Sequence, residues 1–223
     1  MKNLERKIIT SGDGSHTLFI PEMNETYHSS HGALQESEHV FIKHGLDFLA
    51  DSDPITILEV GFGTGLNAIL SFRAAEMSGK KIFYHTLEPF PLDIELVKQL
   101  NYPELLDEGL TKTFFNLHET AWDEQSEISG QFSFIKYKAK LEDLNIPIEA
   151  DLIFFDAFAP GKQPEMWSLQ NLTKIKGLMN RRAVLVTYCA SGQFRRDLKE
   201  LGFIVESLPG PPGKKEMTRA VKA

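Results

Sequence analysis

The sequence predicts an α/β fold: a doubly wound, mostly parallel sheet of about seven strands, the last antiparallel, with a small N-terminal extension. Three observations predict it. After Pro54 the chain repeats strand, turn and helix, the alternation of a parallel sheet with crossover helices. ITILEV (55–60) and DLIFFDAF (151–158) are continuous apolar runs, as expected of strands covered on both faces. Finally, 42% apolar and 10% aromatic residues over 223 positions supply one sizeable core.

In chain order, KIIT and HTLFI flank SGDG, where Gly14 can turn the chain at positive φ, so residues 1–33 form an extension with a hairpin. Residues 34–223 form the main domain. Apolar residues at mixed three-, four- and seven-residue spacings predict a helix over 33–50, ended by Pro54. GFGTG (61–65) follows the first core strand and leads into a helix at 66–77. IFYHTLE (82–88) is the next strand, and a proline-bounded helix spans 92–100. FSFIKYK (132–138) is the clearest strand of an irregular middle section. Strands at 151–158 and 183–189, a helix at 192–201, and strands at 203–208 and 216–223 complete the chain. PGPPG (209–213) is a stiff loop between the last two strands.

Charge and cysteine usage narrow the function classes. The net charge of −7 argues against a protein that coats nucleic acid. The average hides an asymmetry: residues 174–223 carry 11 basic and 4 acidic side chains, while the rest of the chain stands at −14. A polyanion is therefore expected to meet the C-terminal part, through residues such as Lys214 and Lys215, unless these are an ordinary solvated surface. The lone Cys189 excludes a disulfide framework and multi-thiolate zinc sites, and the histidine spacing predicts no metal centre. No apolar run approaches the roughly 20 residues of a membrane span, and the N-terminus lacks a signal peptide's apolar stretch. A soluble, cytoplasmic protein is expected.

The chemistry concentrates at two strand ends. In ILEVGFGTGLN (57–67) a strand runs into glycines and then a helix, bringing free backbone N–H groups and the positive helix end to one point. A dinucleotide fingerprint needs a small residue at position 66, where this chain has Leu66; pyrophosphate binding is disfavoured. Glu88, ending the second strand, can accept two hydrogen bonds from a ribose diol, or is a solvated strand-end acid. Asp156 ends an apolar strand expected beside the glycine turn, so it is the catalytic candidate; a helix cap is its bland alternative. Phe158 and Trp167 offer faces on which a base can stack, or else fill the core.

G-x-G-x-G preceded by Glu59 resembles the first motif of class I S-adenosylmethionine (SAM) methyltransferases. Together, GFGTGLN, FFDAFAPGKQPEMW and LGFIVESLPGPPGKKEMTRA resemble the methyltransferase half of the bifunctional bacterial tRNA wobble-uridine enzyme MnmC, and especially its stand-alone, MnmD-like form, from about Tyr27 onward. The resemblance implies a Rossmann-like class I methyltransferase fold and SAM as cofactor. It implies methylation of the exocyclic amine of 5-aminomethyluridine, or its 2-thio form, at the tRNA wobble position. An FAD-dependent oxidase or other upstream wobble-uridine enzyme is then a separate partner.

Carried over residue by residue, Glu59, Gly61, Phe62, Gly63, Gly65 and Asn67 fall around SAM, Glu88 falls on its ribose, and Asp156 is the catalytic aspartate. Tyr27 and Glu36 lie in Y-x-S-x-x-G-A-L-x-E, a segment placed at the substrate entrance. KYKAKLEDL departs from the family's acid after the middle strand, placing Lys140 there and leaving Glu142 or a backbone carbonyl for the adenine. Two other readings stay open: a small-molecule amine methyltransferase or aminopropyltransferase, and a non-catalytic tRNA-binding protein on the same scaffold.

Overall fold

The computed structural model describes residues 4–223. The chain opens with β1 (Lys7–Thr10), β2 (His16–Ile20) and the two-residue β3 (Glu25–Thr26), which pair antiparallel in a small sheet of order β1-β2-β3. Thr10 faces His16 across the SGDG turn, where Gly14 takes φ 86°. Asp13 ties the turn to the following segment, accepting from the Ser15 hydroxyl and from the backbone N–H of Gln35.

The helix expected over 33–50 is broken into three pieces. α1 (Ala33–Ser37) passes into a π-helical turn at Glu38–Lys43 and a 3₁₀ turn at Leu46–Leu49. The second break falls at Gly45, a closely packed position where a Cβ would sit 2.4 Å from the Phe41 carbonyl oxygen and 3.0 Å from Val186. This segment lies too tightly on the sheet for a regular helix to pass. Phe41 meets Phe154 there at 5.1 Å between ring centroids.

The main sheet then builds outward in two directions. β4 (Ile55–Val60) leads through the glycine turn to α2 (Leu66–Ser78), β5 (Ile82–Leu87), the short α3 (Ile94–Val97) and α4 (Tyr102–Leu106), α5 (Thr111–Glu119), β6 (Ser126–Glu127) and β7 (Phe132–Tyr137). β8 (Ala150–Phe155), α6 (Leu169–Gly177), β9 (Met179–Thr187), α7 (Gly192–Glu200), β10 (Phe203–Pro209) and β11 (Glu216–Lys222) complete it. The order is β10-β11-β9-β8-β4-β5-β7-β6. The seven expected strands are all present, the final β11 runs antiparallel to both neighbours, and the two-residue β6 is added at one edge. The expected helix at 92–100 shrinks to α3 because its C-terminal side tightens into 3₁₀ turns, Gln99 to Leu96 and Leu100 to Val97.

Side chains alternate between two cores. Ile55 and Ile57 of β4 face α2 and α5 with Tyr84, Phe132 and Phe134, whereas Leu58 and Val60 face α6 and α7 with Phe155, Trp167 and Phe194. The chain leaves β4 toward β5 and β7, then crosses back to β8 on β4's other side. This reversal opens a crevice beyond the carboxyl ends of β4 and β8, where open α/β sheets bind ligands.

Candidate active site

The glycine turn begins where β4 ends, and its shape is set by contacts on both sides. Gly61, Gly63 and Gly65 all take positive φ, at 98°, 50° and 75°. A Cβ on Gly61 would lie 2.9 Å from the backbone oxygen of Asp156, so only glycine lets β4 and β8 end this close together. The turn is braced from behind. Thr64 offers its carbonyl to His118 Nε2 at 3.1 Å and its hydroxyl to Tyr102 at 3.2 Å, and His118 packs on Phe62 at 4.8 Å. The His118 backbone oxygen in turn accepts from the buried Lys136, whose ammonium lies 4.6 Å over the Trp122 ring. Burial pushes His118 down to about 3 and Lys136 to about 8, so the imidazole is neutral near pH 7 and Nε2–H donates to Thr64.

In front of the turn lies a cavity of about 1160 Å³, counting its open mouth, walled by the turn, the ends of β5 and β8, and the N-terminal extension. Glu88 lies at its edge, one carboxylate oxygen accepting from Gly63 N–H at 3.1 Å and the other from Phe90 N–H at 2.8 Å. Each oxygen keeps lone-pair capacity for a ligand. Burial raises the Glu88 carboxyl, while those two N–H groups and Arg6 pull it back. Tyr27 covers the turn, its ring edge 3.2 Å from a Cβ built on Gly63, and packs edge-to-face with Phe158 at 5.2 Å. Its hydroxyl accepts from Arg6 Nε at 3.0 Å. The free N–H groups expected at the turn are taken up inside the protein, those of Gly61 and Phe62 by the Leu87 carbonyl, that of Gly63 by Glu88 and that of Gly65 by the Phe62 carbonyl. The close approach allowed by the bare glycines, the Glu88 carboxylate and apolar walls such as Leu87, Leu141 and Met166 are what fit a nucleoside with an amino-acid tail.

Asp156 stands at the cavity floor with its side chain 9% exposed. Its backbone N–H donates to the Val60 carbonyl, and Asn67 Nδ2 donates to its Oδ2 at 2.8 Å. Burial, and secondarily the nearby Glu36, lift its carboxyl to about 7, against opposing pulls from Asn67 and Lys214. A carboxylate balanced near neutrality suits proton abstraction. The equally buried His28 faces it, with Nε2 4.0 Å from Oδ2, and burial pushes this imidazole down to about 4.

The remaining candidates from the sequence divide. Gly61, Phe62, Gly63, Glu88, Tyr27, Phe158, Lys140 and Glu142 line the cavity, with Lys140 Nζ 3.1 Å from Glu142. Glu59 does not. It shares a face with Ile57, so it points under α2, fully buried, and takes the Thr86 hydroxyl at 2.8 Å. It reaches Asp156 through Asn67, which lies between them, rather than facing the cavity. Trp167 is a core residue, packed on Phe155 at 4.9 Å and Phe194 at 5.0 Å, and its indole N–H holds the Phe158 carbonyl at 2.8 Å. It therefore positions the Phe158 loop instead of offering a free stacking face. Lys214 is turned inward onto Glu36 at 2.5 Å, while Lys215 is exposed. Much of the C-terminal positive charge is likewise engaged: Arg195 pairs with Glu216, and Arg219 pairs with Glu206 and stacks on Phe48 at 3.8 Å. Arg6, His28, Lys136 and Tyr188 escape motif reading.

The Glu59 cluster makes a testable statement about stability. Burial pushes its carboxyl up to about 8, and Glu59 Oε1 and Asn67 Oδ1 are both buried without a hydrogen-bond partner among the described residues. A proton on Glu59 gives Oε1 an O–H to donate. Between about pH 4.5 and pH 8 the unfolded chain has lost this proton while the folded chain keeps it, so stability falls as pH rises and the loss is complete above 8. Glu59→Gln is expected to remove this part of the slope and to gain about 1 kcal/mol or more at alkaline pH. Urea melts of both proteins at several pH values measure it; a Gln variant with the wild-type pH slope rules out the protonated Glu59.

Comparison with known proteins gives the family. The family described as S-adenosyl-L-methionine-dependent methyltransferase matches residues 106–223. The chain belongs to that family, and SAM is its cofactor. More particularly, it is 30% identical over 217 residues to the tRNA 5-methylaminomethyl-2-thiouridine biosynthesis bifunctional protein MnmC of Cupriavidus necator, covering 91% of this chain and 32% of that protein. The Pseudomonas aeruginosa protein of the same name is 31% identical over 208 residues, covering 86% of this chain and 32% of its own. The chain thus spans about a third of the length of these curated relatives. The crystal structure of MnmC2 from Aquifex aeolicus superposes with a TM-score of 0.76 at 26% identity, over 98% of this chain and 70% of that one. Spermidine synthase from Thermotoga maritima, at TM-score 0.56 and 15% identity, shares the fold.

Proposed function

We propose that the protein methylates the exocyclic amine of 5-aminomethyluridine, or its 2-thio form, at the wobble position of tRNA, giving the 5-methylaminomethyl product. The observation that carries the reading is Asp156: a nearly buried carboxylate, held by Asn67 at 2.8 Å against the glycine turn, with Tyr27 and Phe158 beside it. The names of the MnmC relatives supply the substrate class.

Bound SAM supplies a methyl group already activated on a sulfonium. The rest falls to the chain's own residues. Gly61, Phe62, Gly63 and Glu88 hold the cofactor, while Lys140 and Glu142 sit at the cavity edge where the base of a nucleoside would lie. A primary alkylamine arrives protonated and has no lone pair, so Asp156 takes a proton from its nitrogen and orients the free pair. Phe158 and Tyr27 flank the pyrimidine, and exposed Lys215 faces tRNA phosphate. The aminomethyl group itself is installed beforehand by an FAD-dependent oxidase or another wobble-uridine enzyme. Such work belongs in the cytoplasm with tRNA, and among the described residues no helix is long and apolar enough to cross a membrane.

Incubation with labelled SAM and tRNA bearing aminomethyluridine, followed by nucleoside mass analysis, tests the proposal. A gain of one methyl on that nucleoside is expected. Label appearing only in free polyamines or other small amines overturns the tRNA substrate, and absence of SAM binding by calorimetry leaves only a tRNA-binding role.

A further inference from the structure

One charged constellation beside Asp156 is not needed to bind SAM. Glu36 on α1 is nearly buried, its side chain 6% exposed, and one carboxylate oxygen accepts the Ser29 N–H at 2.9 Å. The other oxygen takes the Lys214 ammonium at 2.5 Å. That ammonium also lies 3.8 Å above the centroid of the Tyr188 ring. Tyr188 is fixed in turn, donating its hydroxyl to the carbonyl of Ala157, the residue after Asp156, and meeting Trp167 edge-to-face at 6.4 Å. A carboxylate on one side and an aromatic face on the other is the chemistry that recognises an alkylammonium. Ala157, whose carbonyl Tyr188 holds, lines the cavity next to Asp156, so this seat adjoins the candidate base, and the charges of Glu36 and Lys214 both act on Asp156 and His28.

We propose that the Glu36–Tyr188 seat is the docking place for the protonated substrate amine, and that Lys214 fills it in the resting protein and is displaced when the substrate enters. The proposal rests on the amine-methyltransferase reading above and deepens it. Lys214 suits a placeholder: it is a compact charge on a flexible stem, 32% exposed, carried by the turn at 209–215 between β10 and β11. The turn is pinned beside it, since the His39 ring bonds the Pro209 carbonyl at 2.8 Å and the His31 ring fills the space beside Gly213. Only the side chain therefore has to move.

Departure of Lys214 leaves the buried Glu36 without a countercharge, a state that is costly unless another cation replaces it. A protonated aminomethyl group does so one charge for one. A hydroxymethyl group of similar size does not, and a carboxymethyl group adds a second anion beside Asp156. The exchange thus selects an ammonium and delivers it next to the carboxylate that accepts its proton: an N–H bond breaks, an O–H bond forms on Asp156, and the nitrogen keeps the electron pair.

The test is binding, not turnover. The nucleosides 5-aminomethyluridine and 5-hydroxymethyluridine are titrated into wild type, Lys214→Met and Glu36→Gln in the presence of S-adenosylhomocysteine, by ligand-observed NMR. Removing the internal competitor is expected to tighten the amine about tenfold in Lys214→Met with little change for the hydroxymethyl analogue. Glu36→Gln, which keeps shape and removes the charge, is expected to abolish the preference for the amine. Weaker or unchanged amine binding in Lys214→Met makes Lys214 a fixed strut, and a retained preference in Glu36→Gln overturns the seat even if the lysine variant does not fold. Seat behaviour as expected together with unmethylated tRNA sinks the tRNA reading and leaves the ammonium site standing.

Discussion

Replacing Asp156 with asparagine is expected to slow methyl transfer by about 10²-fold or more while SAM affinity changes little. The loss corresponds to about 2.7 kcal/mol of transition-state stabilisation. Asparagine keeps the size and can still meet Asn67, but it cannot accept a proton. The pH profile separates this role from packing. With its carboxyl lifted to about 7 by burial, Asp156 is protonated and idle in acid, so kcat/KM for wild type should rise with pH through about 7. That limb should vanish from the residual activity of Asp156→Asn. Single-turnover assays across pH, with calorimetry for SAM, measure both. A variant that turns over at the wild-type rate, or that retains the limb, removes Asp156 from the chemistry.

The elements that hold the site were legible because each carries a strong local signal. The sequence places β4 at 55–60, where it is observed, because ITILEV is apolar and β-branched up to a glycine that must turn. The expected and observed α2 and α7 differ by one residue each, α2 being bounded by Gly65 and Gly79 and α7 starting at Gly192. Placing Asp156 beside the glycine turn needed only the order of a doubly wound sheet. What failed depended on contacts distant in sequence. The break at Gly45 falls where the segment packs on Phe154 and Val186, more than a hundred residues away.

Glu59 and Lys136 show that simple alternation carried more than the motifs did. Glu59 shares the parity of Ile55 and Ile57, and Lys136 that of Phe132 and Phe134, so in strands covered on both faces each had to be buried. Parity thus separates Glu59 from the cavity and marks Lys136 as a brace behind the turn. No such rule finds Arg6, His28 or Tyr188. Arg6 and His28 arrive on the N-terminal extension, whose docking is a tertiary event, and Tyr188 acquires meaning only through Lys214 on a different loop. Likewise, the positive charge of residues 174–223 is real as composition, but Arg195, Arg219 and Lys214 spend it on internal carboxylates, so net charge overstates the surface free for phosphate.

Gly61→Ala is expected to damage cofactor binding and stability together, because one methyl group there meets two obstacles. At φ 98° an L-residue is strained whatever the space, and the new Cβ falls 2.9 Å from the Asp156 carbonyl oxygen, a backbone atom that cannot rotate away. Relief requires the ends of β4 and β8 to part, which moves the turn away from Asp156. The expected cost is about 2–4 kcal/mol of stability, with SAM affinity reduced by at least about tenfold. Gly79→Ala is the control. It ends α2 at φ 73° with no atom of the described residues within 4 Å of the added carbon, so it carries the backbone strain without the clash and should cost about 1 kcal/mol. Denaturant melts and calorimetric SAM titrations on both variants separate the terms. Equal destabilisation with equal SAM affinity would mean that the β4 and β8 ends tolerate separation and that close approach at Gly61 does not shape the cofactor site.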